Sequence, residues 1–407
     1  MDIIQDFEQD EVILIQNGMS KKRFGEEIKM KKIVLIGPVY PFKTGLSYYV
    51  SLLYRQLKQN NEVKMLSYTM QYPKLLYKKP QKDYEDDVLK IVEAEYRLHT
   101  ANPVNWLCTA SYINKYKPDV VIFQWLHPYF APCYWTLEKL IRKETKVLFI
   151  CHNVFPHERF PMDRWLTKVA LKPADYYITH SKSDAEDLKS IIKNPDVRVT
   201  VHPAYNFFKQ KNMVKEEARK ILGINKEEKV ILFFGLVREY KGLKHLLNAM
   251  KLLKEMQVKL LIAGDFAGAR AAYDSIISNN NIKEVVKIYD EHIPIGEVEK
   301  FFAACDLVVL PYESATQSGV IQVAYSFNKP VLATRVGGLP DVVINGETGY
   351  LVEPQNPEQI ADAIIDFYTK NRAEAFMDGI EREKYRYSWE QMENVINCLT
   401  ENIKNGL

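Results

Sequence analysis

The chain has 407 residues, of which 47% are hydrophobic and 26% are charged, a composition typical of a folded globular protein and not of a disordered or fibrous one. This length exceeds what one ordinary hydrophobic core organises, so two domains are expected. The net charge is only +3, and no basic helix or aromatic–basic motif stands out, so nucleic acid is not an expected partner.

The charge is unevenly placed along the chain. Residues 1–200 carry 30 Lys and Arg against 24 Asp and Glu, an excess of six positive charges, whereas residues 201–407 have an excess of three negative charges. Within the basic half, the segment 74–82 mixes lysines with leucine and tyrosine. Two interpretations stay open: peripheral contact with an anionic membrane face, or a solvated loop.

No apolar run is long enough to cross a membrane, and the first residues lack the basic segment and apolar core of a signal peptide. The five cysteines are odd in number and have no CxxC spacing, so they are expected to be buried free thiols. Free thiols fit a reducing compartment. The sequence therefore predicts a cytoplasmic protein. Peripheral contact with the inner face of the cell membrane stays open as a further interpretation.

Residues 1–29 precede what reads as a natural domain beginning at Met30, and they are interpreted as an appended segment in which 11–18 could form a small strand. From Met30 onward, short apolar runs without polar alternation predict strands buried on both faces, as in parallel sheets. A helix is expected at 47–59 after the first of them. The first series of predicted strands is 31–40, 118–125, 146–153, 175–181 and 197–203.

The alternation of strands and helices restarts after residue 205. The second series of predicted strands is 229–235, 259–265, 285–290, 306–312 and 330–334, with helices expected at 242–255, 296–304, 320–327 and 357–371. Two such series predict an α/β fold of two Rossmann-like, doubly wound domains. We place these at 30–204 and 205–385, with a final amphipathic helix in 386–407.

Candidate site residues follow the strands, where ligands bind in such sheets. The first strand leads into a glycine turn from Gly37 to Gly45. The strand ending at residue 150 leads into His152, Asn153, His157 and Glu158. A lone histidine is more often structural than functional, but two histidines with an asparagine and a glutamate at one strand end favour a site.

Arg238 and Lys241 follow the strand 229–235 and lie just before a predicted helix. Arginine can bind two oxygens and lysine acts as a compact charge, so the pair suits a diphosphate. Two unrelated surface cations are the alternative.

A loop of small residues follows the strand 306–312 and leads into the helix predicted to begin near Val320. Its residues are Thr316, Gln317, Ser318 and Gly319. Unpaired backbone amides and the helix dipole point the same way at such a helix start, which predicts an anion site and a phosphorylated ligand. Simple N-capping is the alternative.

Over residues 31 to 400, the chain resembles the retaining family-four glycosyltransferases of the GT-B fold. The stretches that carry the resemblance are GPVYPFKTG, CHNVFPHE, FFGLVREYKGL, PIGEVEKFFAACDLVVLPY and QSGVIQVAYSFNKPVLATRVGGLPDVVINGETGYLVEP. The resemblance implies two Rossmann-like domains facing across a cleft, with the last helix crossing back to the first domain. It also implies a nucleotide-sugar donor, UDP- or GDP-linked, on the C-terminal domain, and a carbohydrate or lipid-linked acceptor on the N-terminal domain.

The resemblance implies a role for each matching residue. Arg238 and Lys241 would neutralise the donor diphosphate without a metal cofactor. His152 would lie against the transferred sugar, and the turn at Gly45 would close over donor and acceptor. Amides from Gln317 to Val320 would contact the phosphates or the sugar, and the segment from Tyr289 to Ile293 would flank the base.

The chain departs from the family at one pair of positions. The family carries two glutamates separated by seven residues, which touch the sugar and the ribose, and these positions fall on Ala315 and Val323 here. Glu313 and Gln322 are the neighbouring candidates to replace them. The expected function is sugar transfer with retention of configuration in cell-surface polysaccharide or glycolipid synthesis. A nucleotide-sugar epimerase and a non-catalytic scaffold are the alternatives.

Overall fold

The computed structural model describes residues 30–42, 45–77, 80–84, 87–156 and 160–401. The strand considered at 11–18 lies outside these residues. In the described part of the chain, two separate parallel sheets lie in two lobes, which confirms the predicted α/β fold of two doubly wound sheets. Strands alternate with helices along both lobes.

The first lobe holds a sheet of seven described strands. The strands are β1 (Lys32–Ile36), β2 (Glu62–Met70), β3 (Glu95–His99), β4 (Val120–Trp125), β5 (Lys146–Cys151), β6 (Tyr176–Thr179) and β7 (Val197–Val199). The helices are α1 (Gly45–Leu57), α2 (Pro103–Tyr116), α3 (Ala131–Leu140), α4 (Asp163–Leu171) and α5 (Lys182–Lys189). The strand order is β3-β2-β1-β4-β5-β6-β7.

The second lobe holds a sheet of six described strands. The strands are β8 (Val230–Phe234), β9 (Lys259–Ala263), β10 (Val286–Tyr289), β11 (Leu307–Leu310), β12 (Val331–Thr334) and β13 (Gly349–Val352). The helices of this lobe are α6 (Lys215–Ile221), α7 (Leu243–Leu252), α8 (Arg270–Asn279), α9 (Ile295–Ala304), α10 (Gly319–Ser326), α11 (Leu339–Val342), α12 (Pro357–Thr369) and α13 (Ala373–Arg382). A last helix, α14 (Trp389–Glu401), follows them in the chain. The strand order is β10-β9-β8-β11-β12-β13.

Each sheet is covered on both faces, which explains the uninterrupted apolar runs. In β1, Val34 and Ile36 join one buried cluster, whereas Ile33 and Leu35 join another on the opposite face. Successive side chains of a strand point to opposite faces, so a strand between two helical layers has no polar side.

Three strands were not predicted from the sequence. β3 and β13 lie at the edges of their sheets, and β2 lies next to the edge. β2 begins with partly exposed residues, including Glu62 and Lys64, and β3 contains the exposed Arg97. Strands at or near an edge meet solvent, so β2 and β3 carry polar residues and lack the apolar run that marked the others. β13 is a short strand of four residues, Gly-Tyr-Leu-Val, of which the middle two are half-buried.

The chain crosses between the lobes twice, and the two crossings are bonded to each other. The Ala204 amide donates to the Tyr387 carbonyl at 2.8 Å, and the Trp389 indole donates to the Ala204 carbonyl at 3.0 Å. Helix α14 then packs on the first lobe, where Met392 and Ile396 are buried in the cluster that contains α1.

All five cysteines are free. Cys133, Cys151 and Cys305 are buried as expected, but Cys108 and Cys398 are exposed, so that part of the prediction is wrong. Among the helices of the described residues, none is both long enough and apolar enough to span a membrane.

Candidate active site

The order of strands in the second sheet brings two predicted loops together. β8 lies between β9 and β11 in the sheet. The chain passes from β8 to β9 and from β11 to β12, so these two connections run toward opposite edges of the sheet. A crevice opens at such a switch point, outside the carboxyl ends of the strands. Lys241 follows β8, and the loop from Ser314 to Ser318 follows β11.

Gly242 holds the two loops close to each other. Its φ is +64°, and a Cβ on it would lie 1.9 Å from the Pro311 carbonyl oxygen. Only glycine fits a left-handed position with backbone this near. The short turn Glu239–Lys241 therefore lies directly against the end of β11.

A cavity of about 350 Å³ lies between the lobes at this crevice. The predicted site residues that line it are Gly45, Lys241, Thr316, Gln317, Ser318, Gly319 and Val320. Gly45 comes from the first lobe, and the others come from the second. The structure thus brings together residues that are up to 275 positions apart in the sequence.

Lys241 is a half-buried cation without a counter-ion among the described residues. Burial lowers the pKa of its ammonium group, the nearby Tyr240 raises it, and the Arg238 guanidinium lowers it again. Its Nζ lies 5.5 Å from the centre of the Tyr312 ring. A half-buried charge without a partner is costly, so an anion in the cavity would be bound strongly.

Helix α10 directs its N-terminus into the same cavity. Its cap residue Ser318 makes no side-chain capping bond, and its first turn has no acidic residue. The first amides of a helix have no acceptor within the helix. In the described structure, the buried Gln317 Nε2 also has no partner. Several hydrogen-bond donors and one cation therefore face the same space.

Arg238 lies in an adjoining cavity of about 710 Å³, together with Glu313. Tyr240 lines both cavities, so the two predicted cations are on the same side of the lobe. In the described part of the chain, the Arg238 side chain makes no ion pair or hydrogen bond.

Glu313 and Gln322 do not supply the missing carboxylates to the cavity of Lys241. The Glu313 carboxylate accepts hydrogen bonds from Lys244 Nζ and His245 Nε2, both at 2.9 Å. The pKa of Glu313 is lowered below its usual range, mainly by the bond to Lys244. Gln322 is buried in the body of α10. Ala315 and Val323, where the resemblance places the glutamates, do line the cavity and present apolar side chains to it.

Tyr289 lies against the core, where its ring is 4.9 Å from that of Phe301. It is not among the lining residues of the cavity that contains Lys241. His292, in the segment predicted to flank the base, lines a further cavity of about 350 Å³ between the lobes. Tyr48 lines both of these cavities, so they are neighbours.

His152 is not among the lining residues of the cavity that contains Lys241, and it lies in a cluster of rings. Its Nε2 is 2.7 Å from Gln124 Oε1, and its ring packs edge-on against Tyr49 at 4.7 Å. Burial and two neighbouring histidines, His180 and His202, lower the pKa of His152 well below its usual value, so it is neutral. No group of His, Cys, Asp and Glu in the described residues has the arrangement of a metal site.

The residue after His152 joins the lobes. Asn153 Oδ1 accepts from Thr316 Oγ1 at 2.5 Å, which ties the strand end of the first lobe to the loop of the second. His157 and Glu158, which the sequence analysis also singled out, lie outside the described residues.

Sequence reasoning missed the aromatic walls of the cavity. Tyrosines contribute from four separate segments, and the lining tyrosines are Tyr48, Tyr205, Tyr240 and Tyr312. Tyr48 follows the glycine turn, and Tyr240 lies between the two predicted cations. Their positions beside these motifs could have marked both tyrosines as lining residues. Tyr205 had no such signal because it lies at a domain boundary.

Gly337 supports the loop that carries the predicted phosphate amides. Its φ is +50°, and a Cβ there would lie 1.5 Å from the Ala315 carbonyl oxygen. We expect Gly337→Ala to displace this loop, to destabilise the fold by about 1–3 kcal/mol and to weaken nucleotide binding at least about tenfold. Thermal unfolding and calorimetric titration with UDP measure the two effects.

Gly346→Ala is the matched control for this change. Gly346 also has a positive φ, +83°, but a Cβ there would meet no atom within 4 Å. It should show a loss of stability without a loss of UDP affinity. Equal UDP affinities for both variants and the parent would contradict a role of this loop in binding.

Two family models match the chain. The model described as "Glycosyl transferases group 1" matches residues 214–386, and "Glycosyltransferase Family 4" matches residues 43–204. Together they account for most of the chain, one lobe each. The first match contains Lys241 and the loop from Ala315 to Val320, and the second contains Gly45 and His152.

Curated relatives match over shorter stretches. The D-inositol 3-phosphate glycosyltransferase of Corynebacterium diphtheriae is 30% identical over 202 residues, which is 47% of either chain. The N-acetyl-alpha-D-glucosaminyl L-malate synthase of Bacillus anthracis is 25% identical over 242 residues, 58% of this chain and 61% of that protein. The chain spans about half the length of the curated relatives it matches.

Solved structures match over nearly the whole chain. The sucrose-phosphate synthase of Thermosynechococcus elongatus gives a TM-score of 0.71 at 20% identity, covering 91% of this chain and 100% of that one. Anabaena HepE in complex with UDP gives 0.71 at 15% identity, with the same coverage. Identities this low show the fold alone, and they confirm the predicted GT-B arrangement.

Proposed function

Because the chain belongs to the group 1 and family 4 glycosyltransferases, we propose that it transfers a sugar from a nucleotide-sugar donor to an acceptor bound between the lobes. One observation carries this proposal above the others. The Lys241 ammonium and the Gln317 amide, neither of which has a partner among the described residues, face the same cavity between the lobes as the N-terminus of α10. That arrangement suits a diphosphate.

The donor is proposed to be a UDP- or GDP-sugar. In support, HepE has been solved with UDP and with UDP-glucose, and it shares the fold of this chain. The aromatic walls of the cavity, among them Tyr205 and Tyr312, offer flat apolar faces for a base or a sugar ring. Lys241 and Arg238 supply positive charge beside the diphosphate, so we expect transfer without a divalent metal.

The chemistry follows from where charge develops. Breaking the bond between the anomeric carbon and the diphosphate leaves negative charge on the leaving group and positive character on the sugar. Lys241 and the amides at the start of α10 would stabilise the departing charge, and such preorganised electrostatic terms are often the largest contribution to catalysis. We propose retention of configuration, with the acceptor proton passing to the leaving phosphate oxygen, so that no side chain is assigned as the base.

His152 is proposed to position the transferred sugar rather than to transfer a proton. Its lowered pKa keeps the ring neutral, and Nε2 is engaged by Gln124. Asn153 holds the same strand end against Thr316 of the second lobe. We further propose a cytoplasmic role in cell-surface polysaccharide or glycolipid synthesis, in which the acceptor is a carbohydrate or a lipid-linked group.

A non-catalytic scaffold is the second candidate, and one observation favours it. Ala315 and Val323 line the cavity at the two positions where the family carries glutamates, so no carboxylate from these positions reaches the donor. A nucleotide-sugar epimerase is a third candidate, since it would use the same diphosphate site without an acceptor.

A donor screen separates these candidates. The full chain is incubated with UDP- and GDP-sugars, with and without a mixed acceptor panel and with EDTA throughout, and products are identified by mass spectrometry. We expect release of UDP or GDP and a mass gain on an acceptor. Donor isomerisation without acceptor would indicate an epimerase. No turnover, together with no thermal stabilisation by either nucleotide, would indicate a scaffold, and turnover only after addition of Mg²⁺ would contradict the metal-free proposal.

A further inference from the structure

A second cavity, of about 510 Å³, lies in the first lobe. We call it the apolar pocket. Its lining residues are Leu46, Gln71, Tyr72, Leu76, Tyr77, Leu126, His127 and Tyr129. Most of the lining is aliphatic or aromatic carbon, and the volume is within the range of small-ligand sites.

The position of the apolar pocket in the sheet is that of a ligand site. β1 lies between β2 and β4, so the chain switches direction at this point of the sheet. Gln71 and Tyr72 follow β2, and Leu126 and His127 follow β4. The pocket therefore lies at the carboxyl ends of the strands beside a topological switch point, where ligands of doubly wound sheets bind.

The apolar pocket also adjoins the proposed donor cavity. Leu46 lines the pocket, and its neighbour Gly45 lines the cavity that contains Lys241. Both residues are in the first turn of α1. A molecule seated in the pocket can therefore extend along this turn toward the transferred sugar.

The walls of the apolar pocket are fixed by polar bonds made outside it. The Gln81 side chain accepts from the Tyr72 amide at 3.1 Å and donates to the Tyr72 carbonyl at 2.7 Å. The Tyr129 hydroxyl is 2.9 Å from Thr100 Oγ1. These bonds hold the Tyr72 backbone and the Tyr129 hydroxyl in place, and the tyrosine rings lie close together: Tyr72 is 6.0 Å from Tyr77 and 5.5 Å from Tyr129.

One wall of the apolar pocket opens onto an exposed apolar loop. Leu75 is 87% exposed and Leu76 is 59% exposed, and Leu76 lines the pocket whereas Leu75 does not. Lys74 precedes them, Lys82 follows, and residues 1–200 carry an excess of six positive charges. Exposed apolar side chains beside an apolar cavity mark a binding surface, and the lysines that flank this loop in the sequence favour an anionic amphiphile over a neutral one.

We propose that the apolar pocket binds the hydrocarbon chain of a lipid phosphate acceptor. This inference rests on the proposed function, since it names the acceptor class for the same reaction. The chain of the lipid lies among Tyr72, Tyr77 and Leu126, and its head group points along α1 toward the donor cavity. The acceptor is thus an amphiphile rather than a free polar metabolite.

Calorimetric titration of the full chain tests the proposal with three probes used below their aggregation concentrations. Decyl phosphate is expected to bind at least about a hundredfold more tightly than butyl phosphate, because each buried methylene favours binding about fourfold. Decyl maltoside, which has the same chain without the charge, is expected to bind more weakly than decyl phosphate. Equal affinities for decyl phosphate and butyl phosphate would contradict binding of a hydrocarbon chain in the pocket. Equal affinities for decyl phosphate and decyl maltoside would contradict a preference for an anionic head group.

Two variants of the loop separate a pocket from a surface contact. Leu76→Asp is expected to weaken decyl phosphate binding at least about tenfold, because Leu76 lines the pocket. Leu75→Asp, the matched control on the neighbouring exposed residue, is expected to bind as the parent does. Equal losses in both variants would indicate a loop that only touches lipid surfaces, and this would overturn the proposal.

Titration with UDP keeps this test distinct from that of the proposed function. Leu76→Asp should bind UDP as the parent does, whereas Lys241→Ala should lose UDP binding and keep decyl phosphate binding. A parent chain that binds UDP but no decyl phosphate would overturn the acceptor class alone. A chain that binds decyl phosphate but turns over no donor would contradict the proposed function and leave the pocket standing.

Discussion

Replacing Lys241 by alanine should lower turnover about 100- to 1,000-fold without loss of folding stability. Removal of one preorganised group that stabilises transition-state charge typically costs about 3–4 kcal/mol. Lys241 is suited to that role because its ammonium group faces the cavity beside the start of α10 and has no carboxylate partner among the described residues. Removing a half-buried, unpaired charge relieves a desolvation cost, so the melting temperature should stay level or rise.

Lys244→Ala is the control for this prediction. Lys244 lies three residues away, but it is exposed and paired with Glu313 at 2.9 Å. Its removal should change turnover little, since exposed ion pairs contribute about 0–1 kcal/mol. Initial rates with saturating donor, together with UDP titrations, measure both variants. Turnover in Lys241→Ala equal to that of the parent, in a chain that unfolds at the parental temperature, would exclude the proposed diphosphate site.

The part of the site that lies in the second lobe could be predicted, because each of its loops is a short continuous stretch of sequence. Lys241 and the loop from Thr316 to Gly319 each follow an apolar run, and parallel strands place such loops at one edge of a sheet. Which two loops would be neighbours depends on strand order. The sequence analysis gave no strand order, and the structure supplies it: β8 lies beside β11.

The ring cluster and the apolar pocket could not be predicted from the sequence. Tyr49, His180 and His202 come from three segments, and nothing local marks any of them as partners of His152. The pocket takes its walls from the ends of β2 and β4 and from α1, and β2 itself was not predicted. Residues brought together only by tertiary packing leave no periodic pattern in any one segment.

The apolar residues Ala315 and Val323 change how the proposed donor would be held. Without carboxylates at these positions, the sugar and ribose hydroxyls need other acceptors. The cavity offers the hydroxyls of Ser318 and of several tyrosines, which bind more weakly than a carboxylate. We therefore expect the diphosphate contacts to carry a larger share of donor affinity here, which is why the effect of Lys241→Ala should be large.

The histidines of the ring cluster, His152, His180 and His202, predict a loss of stability in mild acid. Burial lowers the pKa of His180 to about 4, and burial together with His180 lowers that of His202 to about 3. An unfolded histidine titrates near pH 6.5, so between these values the unfolded chain binds more protons than the folded chain. Stability should be fully present above about pH 7 and should fall as the pH drops from about 6.5 toward 4.

His180 alone accounts for about 3 kcal/mol of this loss, from a difference of roughly 2.5 pKa units at about 1.4 kcal/mol each. His180→Phe keeps a ring between Tyr49 and His202 but removes one proton site and the 2.9 Å bond to the Thr200 carbonyl. The variant should be less stable than the parent at pH 7, by about 1–2 kcal/mol, and its stability should depend less steeply on pH below 6.5. Denaturant unfolding at pH 7.5, 6, 5 and 4.5 measures the slope, roughly 1.4 kcal/mol per pH unit for each proton. His292→Phe, at an exposed histidine, is the control, and its stability should depend on pH as steeply as that of the parent. If the stability of His180→Phe also depended on pH as steeply as that of the parent, the ring cluster would not be the cause of the loss of stability in acid.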